Sequence, residues 1–266
     1  MLTIQNYVRP ETLDEAWECN QNRKNRILGG MLWMRLGRGS INTAIDLCRL
    51  GLDTIEESEE EFSIGAQVTL RQLETHTGLN RYTHGAVRAA VCDIIGVQFR
   101  NMATVGGSIW GRFGFSDVLT VFLALDTAVE LHRGGIVPLA QFVTMPPDRD
   151  ILVRLIVRKT PGAVVYLAMR NQRTDFPTLT CAVSDLGGAP RTVIGARPGR
   201  AMIVPGLPAL PVGQWSQDAI SAYAEAAAAA VPTGSNVRAG AAYRSHLCSV
   251  LTARALTQLG GINGWN

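Results

Sequence analysis

The chain has 266 residues, 47% of them hydrophobic and 18% charged, with a formal net charge of +3. That suffices for one or two domains with a sizeable core, while the small charge and scattered arginines argue against nucleic acid or a membrane surface as partner. No apolar run reaches the roughly 20 residues a membrane helix needs. Polar Gln5 and Asn6 interrupt the start, where a secretory leader would be apolar. The cysteines, Cys19, Cys48, Cys92, Cys181 and Cys248, are odd in number and form no CxxC pair. They predict free thiols in a reducing cytoplasm, and no zinc or iron–sulfur site within this chain.

In chain order, Met1 to Pro10 is an opening segment, and the capping-box pattern Thr12-Leu13-Asp14-Glu15 predicts a helix to about Cys19. The short β-prone run Arg26-Ile27-Leu28 ends on Gly29-Gly30, and Leu32 to Leu36 reads as helical before Gly37 and Gly39 break it. Ala44 to Leu47 and Phe62 to Val68 read as strands, and Thr69-Leu70-Arg71-Gln72 is a second capping box. Ala86 to Ile95 is a helix candidate. Ser116 is placed to cap the apolar run Asp117 to Leu125 as another helix. Ala128 to His132 and Ile151 to Val157 follow as strands. Then Val164 to Met169, Thr178 to Val183 and Thr192 to Ala196 predict an antiparallel meander. Ala219 to Val231 is an alanine-rich helix, and Tyr243, Leu247, Val250 and Leu251 mark one apolar face of a second, ending at Gly260-Gly261. The texture changes near Thr160-Pro161-Gly162, so a domain boundary is expected there.

The glycine-rich stretch "RNMATVGGSIWGRFGFSD", Arg100 to Asp117, carries the chemistry. Gly106-Gly107 and Gly29-Gly30 each sit beside a strand or helix candidate. Backbone N–H groups without side chains can face an anion, so two such turns suit the two ends of a diphosphate, with Thr104 and Ser108 adding hydroxyls. The alternative is a pair of tight structural turns. No G-x-G-x-x-G follows a strand, and there is no phosphate-loop, nucleophile-elbow or zinc-helix motif. The four histidines, His76, His84, His132 and His246, are far apart and read as packing or surface residues. Asp117 suits both a hydrogen bond to ribose or ribityl hydroxyls and the first turn of the following helix. The residues alone point to a diphosphate-containing cofactor without naming it.

"RNMATVGGS", followed by "SDVLTVFLALDTAVEL", resembles the flavoprotein subunit of the molybdenum hydroxylases, the xanthine dehydrogenase and carbon monoxide dehydrogenase family. There a motif close to R-N-x-A-T-x-G-G-N precedes S-D and a helix. "NYVRPETLDEAW" is similar to the family's Y-x-R-P start, "ILGGMLWMRL" to its first flavin loop, "LRQLE" to its T-x-x-x-L-E segment, and "AAYRSHLCSVLTARAL" to its C-terminal helix. The resemblance implies an α+β protein. A two-lobed FAD-binding domain of the vanillyl-alcohol oxidase-like type spans 1–161, with lobes 1–57 and 58–161. A C-terminal domain, 162–266, holds a three-stranded antiparallel sheet and a helical bundle.

By the same resemblance, Ile27, Leu28, Gly29, Gly30, Met31, Leu32 and Trp33 form the first FAD loop, and Ala103, Thr104, Gly106, Gly107 and Ser108 the second. Ser116 and Asp117 reach the adenosine or ribityl portion, and Ile151 and Leu152 present backbone to the flavin. No catalytic acid, base or metal ligand is expected on this chain. FAD would take electrons from [2Fe–2S] clusters on an iron–sulfur subunit, fed by molybdopterin on a large subunit, in a heterotrimer or a dimer of heterotrimers, and pass them to an acceptor such as NAD. Ser108 stands where asparagine is usual, Met31 and Leu32 replace more polar residues, and Arg112-Phe113-Gly114-Phe115 replaces A-S-P. The competing readings are a self-sufficient FAD-dependent reductase of the same fold and a structural adaptor without FAD.

Overall fold

The computed structural model describes residues 1–210 and 214–262. Its elements are β1 (Leu2–Val8), α1 (Leu13–Asn20), β2 (Arg26–Leu28), a 3-10 turn (Met34–Leu36), β3 (Gly39–Asp46), β4 (Ile55–Glu57), β5 (Glu61–Gly65), α2 (Leu70–Thr75), α3 (Thr77–Tyr82), α4 (Ala86–Val91), α5 (Val97–Arg100), α6 (Val105–Gly111) and α7 (Asp117–Ala124). These are followed by β6 (Thr127–Leu131), β7 (Gly135–Pro138), α8 (Leu139–Thr144), β8 (Leu152–Arg158), β9 (Val164–Arg170), β10 (Pro177–Ser184), β11 (Arg191–Gly195), β12 (Met202–Ile203), α9 (Gln217–Ala230) and α10 (Ala241–Ile262). Contacts group them into two compact units, one of residues 1–72, 97–111 and 127–157, the other of 73–96, 112–126 and 158 onward.

The first unit holds a parallel sheet in the order β1-β3-β2 and a five-stranded sheet in the order β4-β5-β8-β6-β7. Ala16 of α1 packs with Ile45, Leu47, Leu52, Ile151 and Val153 in one apolar cluster. The cap of α1 forms as its sequence predicts, with Thr12 Oγ1 accepting from Glu15 N at 3.1 Å and Glu15 Oε2 accepting from Glu11 N at 2.9 Å. The return bond of α1 thus goes to the residue before the cap, whereas the second capping box closes on the cap residue itself. Thr69 N donates to Gln72 Oε1 at 2.8 Å and Gln72 N to Thr69 Oγ1 at 3.2 Å. The opening segment is strand β1, paired in parallel with β3. All of its residues from Thr3 to Val8 are exposed, so it shows none of the alternation by which a half-buried strand is read.

In the second unit the meander forms the antiparallel sheet β12-β11-β10-β9, a fourth short strand joining the three expected. Every residue of β10 is buried. Leu179, Cys181 and Val183 join a cluster with Tyr223 of α9 and Leu247, Leu251 and Leu256 of α10. On alternate positions, Thr180 Oγ1 lies 2.9 Å from Thr120 Oγ1 of α7, and Ser184 Oγ donates to Ala124 O at 2.5 Å. All eight residues of α7 are buried. A helix apolar on every side needs cover all round, and here the sheet supplies part of it. Arg244 of α10 is fully buried and donates to Thr178 O at 2.9 Å, Gly234 O at 2.7 Å, Ala239 O at 2.6 Å and Asn236 Oδ1 at 2.7 Å. Among the described residues, no helix is long and apolar enough to cross a membrane.

Candidate cofactor site

The two glycine pairs, far apart in sequence, meet in the first unit. At Gly29 a Cβ would lie 2.8 Å from Thr104 Oγ1 and 3.9 Å from the Gly107 Cα. The pairs differ internally. A Cβ at Gly30 would fall 1.8 Å from Met102 O, and one at Gly106 2.6 Å from Ala66 O. Gly30 and Gly106 are therefore needed for backbone to pass against backbone. Gly29 and Gly107 meet no backbone so closely, and with Gly106 they line a cleft. Gly106-Gly107 is not a turn but the first part of α6, tied down by Gly106 N donating to Ala66 O and Val105 N to Val68 O, both at 2.8 Å. Thr104 Oγ1 accepts from Gly107 N at 3.1 Å.

The cleft has a volume of about 340 Å³, within the range of small-molecule sites. Of the residues expected at a cofactor, Ile27, Leu28, Gly29, Thr104, Gly106, Gly107, Ile151 and Leu152 all line it. Ile27 and Leu28 belong to β2, and Ile151 and Leu152 lie at the start of β8, so the strands bring apolar walls to the glycines. Gly30, Met31, Leu32 and Trp33 sit in the loop beyond, where Met31 adopts a left-handed backbone with φ of 56°. Among the described residues, the N–H groups of Gly30, Met31 and Leu32 have no protein acceptor. They precede a 3-10 turn, where such donors are ordinarily left over. Ala103 is buried, with its carbonyl accepting from Leu70 N at 2.8 Å, and half-buried Ser108 donates its hydroxyl to Thr104 O at 3.1 Å.

Ser116 and Asp117 belong to the second unit. Ser116 Oγ caps α7, accepting from Leu119 N at 3.1 Å. Asp117 is buried, and its Oδ1 accepts from Arg170 Nη2 at 2.6 Å and from the Tyr166 hydroxyl. Burial raises its pKa to about 6, against the opposing pull of Arg170 and the Tyr166 hydrogen bond. Burial and the neighbouring carboxylate also raise Tyr166 well above the usual phenol range. The carboxyl oxygen that the motif offers to a sugar hydroxyl is thus already doubly engaged.

The cleft also takes in residues outside the sequence motifs. Gln67 lines it and donates through Nε2 to Leu28 O at 3.1 Å, bracing the first loop. Asn20, Asn25, Arg149 and Asp150 form a polar end, where Arg149 Nη2 donates to Asn20 Oδ1 at 3.0 Å and Asp150 accepts from Gly134 N at 2.7 Å. Trp110 lines it from α6. The signal for Trp110 was its spacing of three from Gly107, legible only once Val105 to Gly111 is known to be helical.

A glycine-lined cleft with apolar walls and two glycines fixed by backbone packing, followed by a loop with spare N–H donors, fits a cofactor that carries a diphosphate and planar rings. The comparisons with known proteins agree. The family described as the FAD binding domain in molybdopterin dehydrogenase matches residues 2–159, and the CO dehydrogenase flavoprotein C-terminal domain matches residues 164–259. The chain is similar to the uncharacterized protein YgfM of Escherichia coli (strain K12), 25% identical over 185 residues that cover 68% of this chain and 70% of the relative. Its fold is that of quinoline 2-oxidoreductase from Pseudomonas putida 86, with 18% identity, a TM-score of 0.83 and 96% of each chain covered. It is equally that of carbon monoxide dehydrogenase from Hydrogenophaga pseudoflava lacking the Mo-pyranopterin moiety, with 21% identity, a TM-score of 0.83, and 96% of this chain and 97% of that one covered.

The fold and site define a flavoprotein component of an oxidoreductase, with FAD as its cofactor. The chain belongs to the molybdenum hydroxylase family, as its FAD-binding subunit of the carbon monoxide dehydrogenase type.

Proposed function

We propose that the chain is the electron-transfer subunit of a molybdenum-containing hydroxylase or dehydrogenase complex. It takes electrons from [2Fe–2S] clusters on an iron–sulfur subunit and delivers them to an acceptor such as NAD, with molybdopterin on a large third subunit. The assembly is a heterotrimer or a dimer of heterotrimers in the cytoplasm, a compartment that suits five free cysteines. The observation that carries the reading is the convergence of both glycine loops and the Ile151-Leu152 segment on one cleft. The domain division at residue 161 is supported by the two family matches, which end at 159 and begin at 164.

When bound, FAD exchanges one or two electrons, the chemistry that links single-electron clusters to a two-electron acceptor. The chain's own residues bind, orient and shield it. Gly29 and Gly107 present bare backbone to the diphosphate, while Gly30 and Gly106 hold the two loops in place. The spare N–H groups of Gly30, Met31 and Leu32 supply charge-assisted donors. Ile27, Leu28, Ile151 and Leu152 keep water from the rings. Trp33, Ala103, Thr104 and Ser108 complete the two loops, and the assignment of Ser116 and Asp117 rests on the motif alone. Neither loop contains a His or Cys, so attachment is non-covalent.

The test is purification of the chain alone and with candidate cluster and molybdenum subunits. The expected result is a yellow protein that releases FAD on acid denaturation and co-purifies with both partners. A colourless protein, or a flavin that stays on the denatured polypeptide, overturns the cofactor assignment. A flavoprotein that ignores such subunits and reduces a substrate unaided overturns the electron-transfer role.

A further inference from the structure

We propose that Trp110 is the aromatic wall of the cleft and that one of the two planar rings of FAD, isoalloxazine or adenine, packs against its indole. The inference rests on the reading of the cleft as the FAD site and adds a ring-positioning residue that the glycine motifs do not contain.

Trp110 lies one helical turn beyond Gly107 on α6, so the two share a face of the helix and both line the cleft. A diphosphate against the bare Gly107 backbone therefore brings an attached ring system toward the indole. The indole packs against Phe142 of α8, with ring centroids 5.8 Å apart and planes tilted by 46°. Its helix is anchored by the bonds from Val105 N and Gly106 N to Val68 O and Ala66 O. The ring is thus positioned before any ligand arrives, which lowers the ordering cost of binding. Leu28, Ile151 and Leu152 give the same cleft apolar walls, and a planar heteroaromatic ring stacks favourably on an indole in such a setting.

The other described tryptophans differ. Trp17 has the Arg133 guanidinium 4.9 Å above its ring, Trp33 is 40% exposed, and Trp215 packs in the apolar cluster of the second unit. None of them lines the cleft.

The experiment uses the full chain freed of flavin, labelled with 5-fluorotryptophan, and titrated with FAD, FMN and ADP. Trp110 is assigned by the resonance missing from Trp110→Phe. The expected result is a ring-current shift of the Trp110 resonance with FAD and with one half-ligand, FMN marking the isoalloxazine and ADP the adenine. Trp110→Ala is expected to raise the dissociation constant for FAD about 10- to 100-fold, and Trp110→Phe to stay within about 3-fold, because a phenyl ring keeps much of the stacking surface. Circular dichroism checks that both variants are folded. If the wild-type chain binds FAD while the Trp110 resonance stays still and Trp110→Ala binds as tightly, the role of Trp110 is overturned and the cofactor assignment stands. If the wild-type chain binds no FAD, both fall.

Discussion

At the scale of single residues, the two glycines of the Gly106-Gly107 pair have different tasks. Gly107→Val places its Cβ 3.1 Å from Thr104 Oγ1 with no other close neighbour, at a residue that lines the cleft. It is expected to fold and to lose FAD affinity by about 2–4 kcal/mol, roughly a 30- to 1000-fold rise in dissociation constant, because a branched side chain there would hold the diphosphate away from the donors of the two loops. Gly106→Val drives a side chain into Ala66 O and is expected to cost about 1–3 kcal/mol of stability or more. Flavin content read beside thermal unfolding separates the two, with Gly240→Ala, where no atom lies within 4 Å, as the neutral reference. Gly65 is no such reference, since its Cβ would meet Leu52 O at 2.1 Å. Asp117 supplies a pH dependence. Its pKa is raised from 3.8 to about 6 by burial, so the folded chain holds this proton more tightly than the unfolded one. The stabilising contribution is full below about pH 4 and is lost as pH rises through about 6, a change of up to about 3 kcal/mol. Urea unfolding of wild type and Asp117→Asn at half-unit steps should show their stability difference falling over that interval. A flat difference would mean that Arg170 keeps the carboxylate ionised throughout.

At the scale of elements, the Y-R-x-x-L pattern of the last helix acquires a structural meaning. Arg244 reaches four oxygen acceptors on two separate segments and so fastens α10 to β10 and to the 234–239 turn. Arg244→Met leaves buried carbonyls without donors and is expected to lower stability by at least about 3 kcal/mol. Arg244→Lys recovers only part of this, because an ammonium cannot reproduce the planar fork. Flavin affinity should change little in either variant, since Arg244 belongs to the second unit and the cleft to the first. Chemical denaturation with parallel FAD titration checks both halves of that expectation. Elements with local signals were legible in sequence. The Thr12 and Thr69 capping boxes, the Ser116 cap and the β-branched runs of β8 and β10 depend on neighbours a few residues away. The helicity of Val105 to Gly111 was not legible, because two glycines argue against a helix and only the close approach of Ala66 makes them necessary.

At the scale of the whole chain, contacts follow neither sequence order nor the break between the two family matches, which end at 159 and begin at 164. Helix α7 is buried along its whole length, and part of its cover is β10 and β11, more than fifty residues downstream. A fragment of residues 1–161 removes that cover. Val118, Leu119, Val121, Phe122 and Leu123 would lose much of their burial, which at about 1.5–3 kcal/mol for each large side chain puts up to about 8–15 kcal/mol at stake. The fragment is expected to bind a hydrophobic dye strongly and to sediment as aggregates. A monomeric, cooperatively folding fragment that binds no dye would show that α7 finds other cover within the first 161 residues.

The amino-acid sequence by itself determined which local elements form and which residues are special. Caps, turns, β-branched runs and paired glycines act over a few residues, so their physics is written in short strings, and the motifs around Gly29-Gly30 and Gly106-Gly107 pointed to a diphosphate-containing cofactor that only their family resemblance named as FAD. The tertiary structure decided which glycine serves the fold and which faces the cleft, because that depends on Met102 O and Ala66 O arriving within a side chain's radius. It also decided that Asp117 is held by Tyr166 and Arg170, that Trp110 stands at the cleft, and that α7 packs on the later sheet. Each of these is a meeting of segments distant along the chain. Whether such groups meet is set by how the apolar faces pack, a property of the whole chain that no short string carries.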